Sequence, residues 1–345
     1  MLDFEDLSKS YHHTDDKTMA EPSSIMPPTA EGTAGQVEID VNDDHDSSFD
    51  EDIASSTTSL SSSIKNHTYE NGRRYHAFRA GSYFAPNDDA ENDRLDMHHH
   101  LATLLLNGKL HLAPIGEGPQ RILDVGCGTG IWTIAMGDEN PSAQIYGVDI
   151  SPTQPNLIPP NVTFELDDVE TEWTYHEPFD FVHVRFLAAS IMDWPRLVQQ
   201  AYQHTKPGGW CEFKDFDLNI KATDGSLPED TALVKYHTLL IGAVNTIGRT
   251  HAPGPKLKGW VEAAGYENVH EEVSAVPLGT WPKDKRYKEI GLWNFVCLEE
   301  GLEGISLRLF TAVLGWKVED VEVLIEQVRK ELKELKKRGI HAQYT

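Results

Sequence analysis

Cysteine is scarce: the 345-residue chain has three, Cys127, Cys211 and Cys297, with no CxxC pair among them. An odd number at wide spacing excludes a disulfide framework and a zinc knuckle, and fits a reducing compartment. Long apolar runs are missing as well. No stretch reaches the ~20 residues that cross a bilayer, and no basic start leads into an apolar core. The expected setting is therefore cytoplasm or nucleus, with no membrane contact. Positive charge is also short, since 30 Lys and Arg stand against 55 Asp and Glu, a formal net charge of −25. Such a surface opposes direct binding of nucleic acid, whose phosphates need a basic face, and attracts basic partners instead.

The acidity is uneven. Residues 1–70 hold 16 Asp and Glu against 3 Lys and Arg, with Pro27-Pro28, an acidic cluster from Asp43 to Asp52 and a Ser/Thr run from Ser55 to Ser63. This composition buries too little apolar surface to offset chain entropy, so a disordered tail is expected over 1–70. Serines beside acids also make it a candidate docking or phosphorylation segment. A cap segment follows over 71–118, with aromatics Tyr75, Phe78, Tyr83 and Phe84, a turn at Pro86-Asn87, and a helix from near Asp89. Its Leu95, Met97, Leu101, Leu104 and Leu105 roughly keep helical spacing. The run His98-His99-His100 invites a metal reading, but consecutive helical side chains point in different directions and cannot share one ion. No metal is expected.

The densest signal is Arg121-Ile122-Leu123-Asp124-Val125-Gly126-Cys127-Gly128-Thr129-Gly130. An apolar strand carries an acid near its end and opens into a GxGxG loop. The dinucleotide fingerprint wants its third glycine one position later, where Ile131 stands, which argues against NAD and FAD. A cofactor with an amino-acid end fits better: Asp124 is placed to hold its ammonium directly or through water, and Gly126, Cys127, Gly128 and Gly130 let the backbone approach it. The next strand, Gln144 to Ile150, ends in Asp149 about twenty residues on, where a ribose-binding carboxylate belongs, with Ile150 beside it. A third, Val162 to Leu166, leads into Asp167 and Asp168; Asp168 is preferred as acceptor for an adenine amino group, with Val169 following. These acids and the loop point to S-adenosylmethionine (SAM).

The run Arg121 to Gly130, then Asp149, Asp168 and Lys206-Pro207-Gly208-Gly209-Trp210, resembles the class I SAM-dependent methyltransferases. More narrowly, Asn71 to His76, Pro86-Asn87-Asp88, Arg94-Leu95-Asp96 with His99, Gly265-Tyr266 and Gly279 to Pro282 resemble the fungal LaeA-like methyltransferases. The resemblance covers about 71–345. It implies a doubly wound, Rossmann-like α/β sheet of seven strands with a helical cap, methyl transfer, and in some members regulation of secondary metabolism with velvet-type partners.

The rest of 119–345 supports an alternating α/β domain. Strands are expected at 121–125, 144–149, 162–166, 179–184, 210–216 and 269–276, and helices near 131–138, 195–205 and 256–264. A largely helical insertion runs over about 285–338, with an apolar stripe of Val321, Leu324, Ile325, Val328, Leu332 and Leu335; a final strand starts at Ile340. The loop after the fourth strand faces the methyl group in this fold, so His183 is the candidate base and Arg185 the candidate anchor for a carboxylate, with Phe186 alongside. His183 equally fits a strand histidine hydrogen-bonded in the core. Tyr75, Tyr83, His237, Arg249 and Trp281 are further candidates for the cap. Tyr83 is assigned to the cofactor. The expected acceptor is a small molecule methylated on an oxygen or carboxyl.

Overall fold

A computed structural model describes residues 67–335 and 338–345, apart from 80, 82, 223–226 and 228. Residues 1–66, nearly all of the expected disordered tail, lie outside the described residues. Strand β1 (Thr68–Glu70) pairs antiparallel with β2 (Arg73–Tyr75), so the boundary expected at residue 70 falls inside a hairpin.

Helix α1 (Asp89–Leu105) starts where Asp88 accepts a hydrogen bond from the backbone N–H of Glu91. Arg73 clamps that capping carboxylate from β2 through Nε and Nη2, at 2.6 and 2.8 Å. The cap thus satisfies an otherwise unpaired helix N–H and ties the hairpin to the helix. The α/β core follows as β3 (Arg121–Val125), α2 (Ile131–Glu139), β4 (Gln144–Asp149), β5 (Val162–Leu166), β6 (Phe179–Arg185), α3 (Trp194–Gln203) and β7 (Thr205–Lys214). These five strands form one parallel sheet in the order β5-β4-β3-β6-β7. Both its faces are covered: Ile122, Trp132, Met136, Ile145 and Phe181 pack in one cluster, and Leu123, Val125, Val182, Val184 and Trp194 in another. Double coverage explains why these strands read as apolar runs instead of alternating.

The chain continues through β8 (Phe216–Ala222), α4 (Ala232–Thr246), α5 (Gly254–Ala264), β9 (Ser274–Pro277), α6 (Lys285–Arg308), a π-helical turn at Leu309–Val313, α7 (Val318–Leu335) and β10 (Ile340–Tyr344). Strands β8, β10 and β9 make a separate antiparallel sheet, in that order. The doubly wound α/β core expected from the sequence is thus present as five parallel strands, with three antiparallel strands set beside it. Asp215 interrupts the strand between β7 and β8, and its backbone exchanges two 2.8 Å hydrogen bonds with Thr345, which joins the sheets at that point. The fifth strand begins at Thr205, ahead of the expected 210, and the sixth at Ser274 instead of 269. Helix α4 was not anticipated. It packs with α6 and α7 in a second core containing Leu233, Tyr236, Leu240, Phe310 and, from the expected stripe, Val321, Leu324, Ile325, Val328 and Leu332.

Candidate functional site

The carboxyl ends of β3, β4, β5 and β6 open on one cleft, where an open parallel sheet binds its ligands. From the expected residues, Gly126, Cys127, Gly128, Asp149, Ile150, Asp168, Val169, Arg185 and Tyr83 line it.

The glycine loop turns with positive φ at Gly126, Gly128 and Gly130, 71°, 56° and 81°. At Gly126 a Cβ would come within 2.5 Å of Leu187 Cδ2, the movable end of a side chain, so it is the left-handed backbone that an L side chain there would strain. Gly130 does not line the cleft. It packs against the Phe164 ring at the start of α2, a correction to its assignment as a cofactor contact. Asp149 Oδ2 accepts from Gly128 N and Oδ1 from Ser151 N, both at 2.8 Å. Burial pushes this carboxyl above its usual range, while the two N–H groups pull it down. The loop after β4 braces the glycines further, since Thr153 Oγ1 and Gln154 Nε2 donate to Gly128 O at 3.0 and 2.7 Å. Cys127 is buried, which holds its thiol well above the ordinary value and therefore protonated.

Asp124 and His183 sit side by side on β3 and β6, inside the sheet and not on the cleft. Asp124 Oδ1 lies 2.9 Å from His183 Nδ1, and Oδ2 accepts from Thr133 Oγ1 at 2.6 Å. The His183 ring lies flat on Trp132 with centroids 3.7 Å apart and has no solvent exposure. Asp124 is therefore an internal partner with no direct face on the cleft, and of the two readings of His183 the strand histidine hydrogen-bonded in the core is the one observed, in place of the base.

Described residues from Tyr83 to His99 line the cleft together with the strand ends. Arg79 pairs with Asp168 at 3.4 Å, Leu95 lies over Gly128, and Asp96 accepts from Thr129 Oγ1 at 2.6 Å. Arg185 Nη2 then donates to His99 Nδ1 at 2.8 Å. Burial lowers His99 to about 3, so it is a neutral acceptor, and brings the Arg185 guanidinium down to about 10, still cationic at neutral pH. The three consecutive histidines face three partners: His98 stacks on Phe186, His99 holds Arg185, and His100 meets Trp293. Elsewhere, Tyr75 lies under Arg308, His237 bonds Leu218 O, Arg249 sits 3.7 Å from Glu170, and Trp281 donates to Ile340 O. None of these four lines the cleft. Sequence reasoning gave no site role to Asn87, His98 or Ser151; only the Pro-Asn-Asp turn marked Asn87.

Fold and cleft together define a doubly wound domain that takes a nucleoside cofactor at its strand ends. A family model for a methyltransferase domain matches residues 97–271. Methyltransferase pytC of Aspergillus terreus is 48% identical over 281 residues, covering 81% of this chain and 87% of that protein. Secondary metabolism regulator LAE1 of Cochliobolus heterostrophus is 40% identical over 280 residues, 79% and 90% of the two chains. Protein-methionine methyltransferase laeA of Emericella nidulans is 34% identical over 267 residues, 76% and 71%. The chain belongs to the LaeA-like group of the methyltransferase-domain family, and it is a SAM-dependent methyltransferase of secondary metabolism. It therefore acts on a methyl acceptor. Among the described residues, no helix is long and apolar enough to cross a membrane.

The residues present fit that cofactor. Asp149 keeps one lone pair on each oxygen after accepting its backbone bonds, and Gly128 leaves open space beside the loop, with only Leu95 within 4 Å of a built Cβ.

Proposed function

We propose that the cleft holds SAM along the strand ends and delivers its methyl group to an oxygen or carboxyl of a small molecule. The observation that carries this reading is the alignment of Asp168, Asp149, the Gly126–Gly128 loop and Arg185 on the ends of β5, β4, β3 and β6. In this reading Asp149 accepts from ribose hydroxyls, Asp168 from the adenine amino group, and Ile150, Val169 and Tyr83 pack on the nucleoside. Gly126, Cys127 and Gly128 lie along the amino-acid end.

When bound, the cofactor supplies an electrophilic methyl carbon, and transfer by in-line displacement demands alignment and exclusion of water. Leu95, Phe186 and Leu187 are among the apolar residues of the enclosure. Arg185 donates to a neutral imidazole and lies near the Phe186 ring; Asp124, Asp96 and Glu212 act on its charge, but among the described residues none of them forms an ion pair with it, so the guanidinium can anchor an anionic acceptor group. With His183 sealed away, an acceptor that arrives as a carboxylate needs no base to attack.

The names of the LAE1 and laeA relatives, a secondary metabolism regulator and a protein-methionine methyltransferase, favour a second reading, a regulatory enzyme that methylates protein; in this reading a velvet-type partner in cytoplasm or nucleus docks on residues 1–70. Incubation with methyl-labelled SAM separates the two. Label in base-labile esters or in ethers from a panel of carboxylic acids and phenols supports the first reading. Label confined to protein supports the second.

A further inference from the structure

Among the described residues lining the cleft, only Asn87 has buried side-chain polar atoms without a partner, and it has two, Nδ2 and Oδ1. The residue is 4% exposed. Its backbone is fixed on both sides: the N–H donates to Arg74 O at 2.7 Å, and the carbonyl accepts from Arg74 Nη2 at 2.7 Å. The next residue, Asp88, is the clamped cap of α1. The amide is thus held out of water by two anchored neighbours. Each unsatisfied buried polar group costs about 1–3 kcal/mol, and native structures bury few of them without a reason. A ligand that arrives with the missing partners supplies one.

Position narrows that ligand. Residues before and along α1 meet the strand ends in sequence: Arg79 at Asp168 on the β5 side, Leu95 and Asp96 at Gly128 and Thr129 after β3, and His99 at Arg185 on β6. Tyr83 lines the cleft together with Asp149, and burial raises its phenol. Asn87 lines the same cleft as Asp149 and Asp168, and in the chain it precedes α1, about three helical turns before His99, the residue that meets Arg185. A planar amide offers a donor and an acceptor side by side. Its complements are the amino and ring-nitrogen edge of adenine, the pairing asparagine makes with that base in DNA grooves, and the adjacent hydroxyls of ribose.

We propose that Asn87 recognises the adenosine half of the cofactor through both atoms of its amide. This rests on the placement of the nucleoside at Asp149 and Asp168. The test titrates wild type, Asn87→Leu and Asp149→Ala with S-adenosylhomocysteine and with 5′-methylthioadenosine, which keeps the nucleoside thioether but lacks the amino-acid end. Thermal unfolding of each ligand-free protein accompanies it. Asn87→Leu is expected to weaken both ligands by the same factor, about tenfold or more. Without ligand it should unfold no earlier than wild type, because an orphaned amide has been replaced by an apolar group of similar size. Unchanged binding of both ligands overturns the proposal. So does a loss confined to S-adenosylhomocysteine, which would assign the amide to the amino-acid end, or a fall of more than about 5 °C in the ligand-free protein, which would make it structural. If Asp149→Ala also binds as wild type, the placement of the nucleoside has failed, a result separate from failure at Asn87.

Discussion

His183 stands on β6 with its Nδ1 2.9 Å from the Asp124 carboxylate on the neighbouring strand, and its ring stacked on Trp132. The pair bolts β6 to β3 beneath the glycine loop. Removing one partner leaves the other buried and uncompensated, which costs more than the bond itself contributes. His183→Phe should lower stability by about 2–4 kcal/mol and leave S-adenosylhomocysteine affinity within a factor of two or so of wild type. Denaturant unfolding and calorimetry on the same preparation check both halves.

Gly128 sits at φ +56° with open space around the position of a Cβ. Valine there forces a β-branched residue into the left-handed region, at a cost of about 1–3 kcal/mol, and places two methyl groups beside Leu95 over the loop. Gly128→Val should therefore fold, melt a few degrees lower, and lose cofactor binding. Wild-type affinity in a folded Gly128→Val protein would place the ligand elsewhere.

Asp215 gives a pH signature. Its Oδ2 accepts from Leu187 N and its Oδ1 from Phe216 N, both at 2.8 Å, which pins the chain after β6. Burial nevertheless raises the carboxyl from 3.8 to about 8, above what those N–H groups pull down. A raised acid holds its proton in the folded state while the unfolded chain releases it. Its contribution to stability is therefore largest below about pH 4 and falls as pH rises toward 8. The difference in unfolding free energy between wild type and Asp215→Asn should shrink or reverse across that window; a pH-independent difference would show that Asp215 does not titrate there.

The parts of this site visible in sequence are those set by local pattern. Asp149 and Asp168 announced themselves because a short apolar run ends in an acid at each. The glycine loop did so because only glycine tolerates three positive φ values in five residues. His183 was left between two readings for a physical reason. Strand β6 is buried on both faces, so the alternation that marks inside from outside is absent, and nothing local distinguishes a histidine turned to Trp132 from one turned to the cleft. Asn87 and His99 line the cleft from before and along α1, and their meeting with the strand ends depends on how α1 packs, which periodicity does not encode. Helix α4 escaped notice because the chain from Ala232 to Thr246 is largely apolar, as suits its packing against α7 and the π-helical turn.

The most direct test of the account is calorimetric titration of wild type and Asp149→Ala with SAM and S-adenosylhomocysteine. Asp149 braces the glycine loop through Gly128 N and retains lone pairs for ribose. The account predicts micromolar binding by wild type and a loss of about 2–3 kcal/mol, roughly 30- to 150-fold, in the variant. Equal binding by both proteins would contradict it.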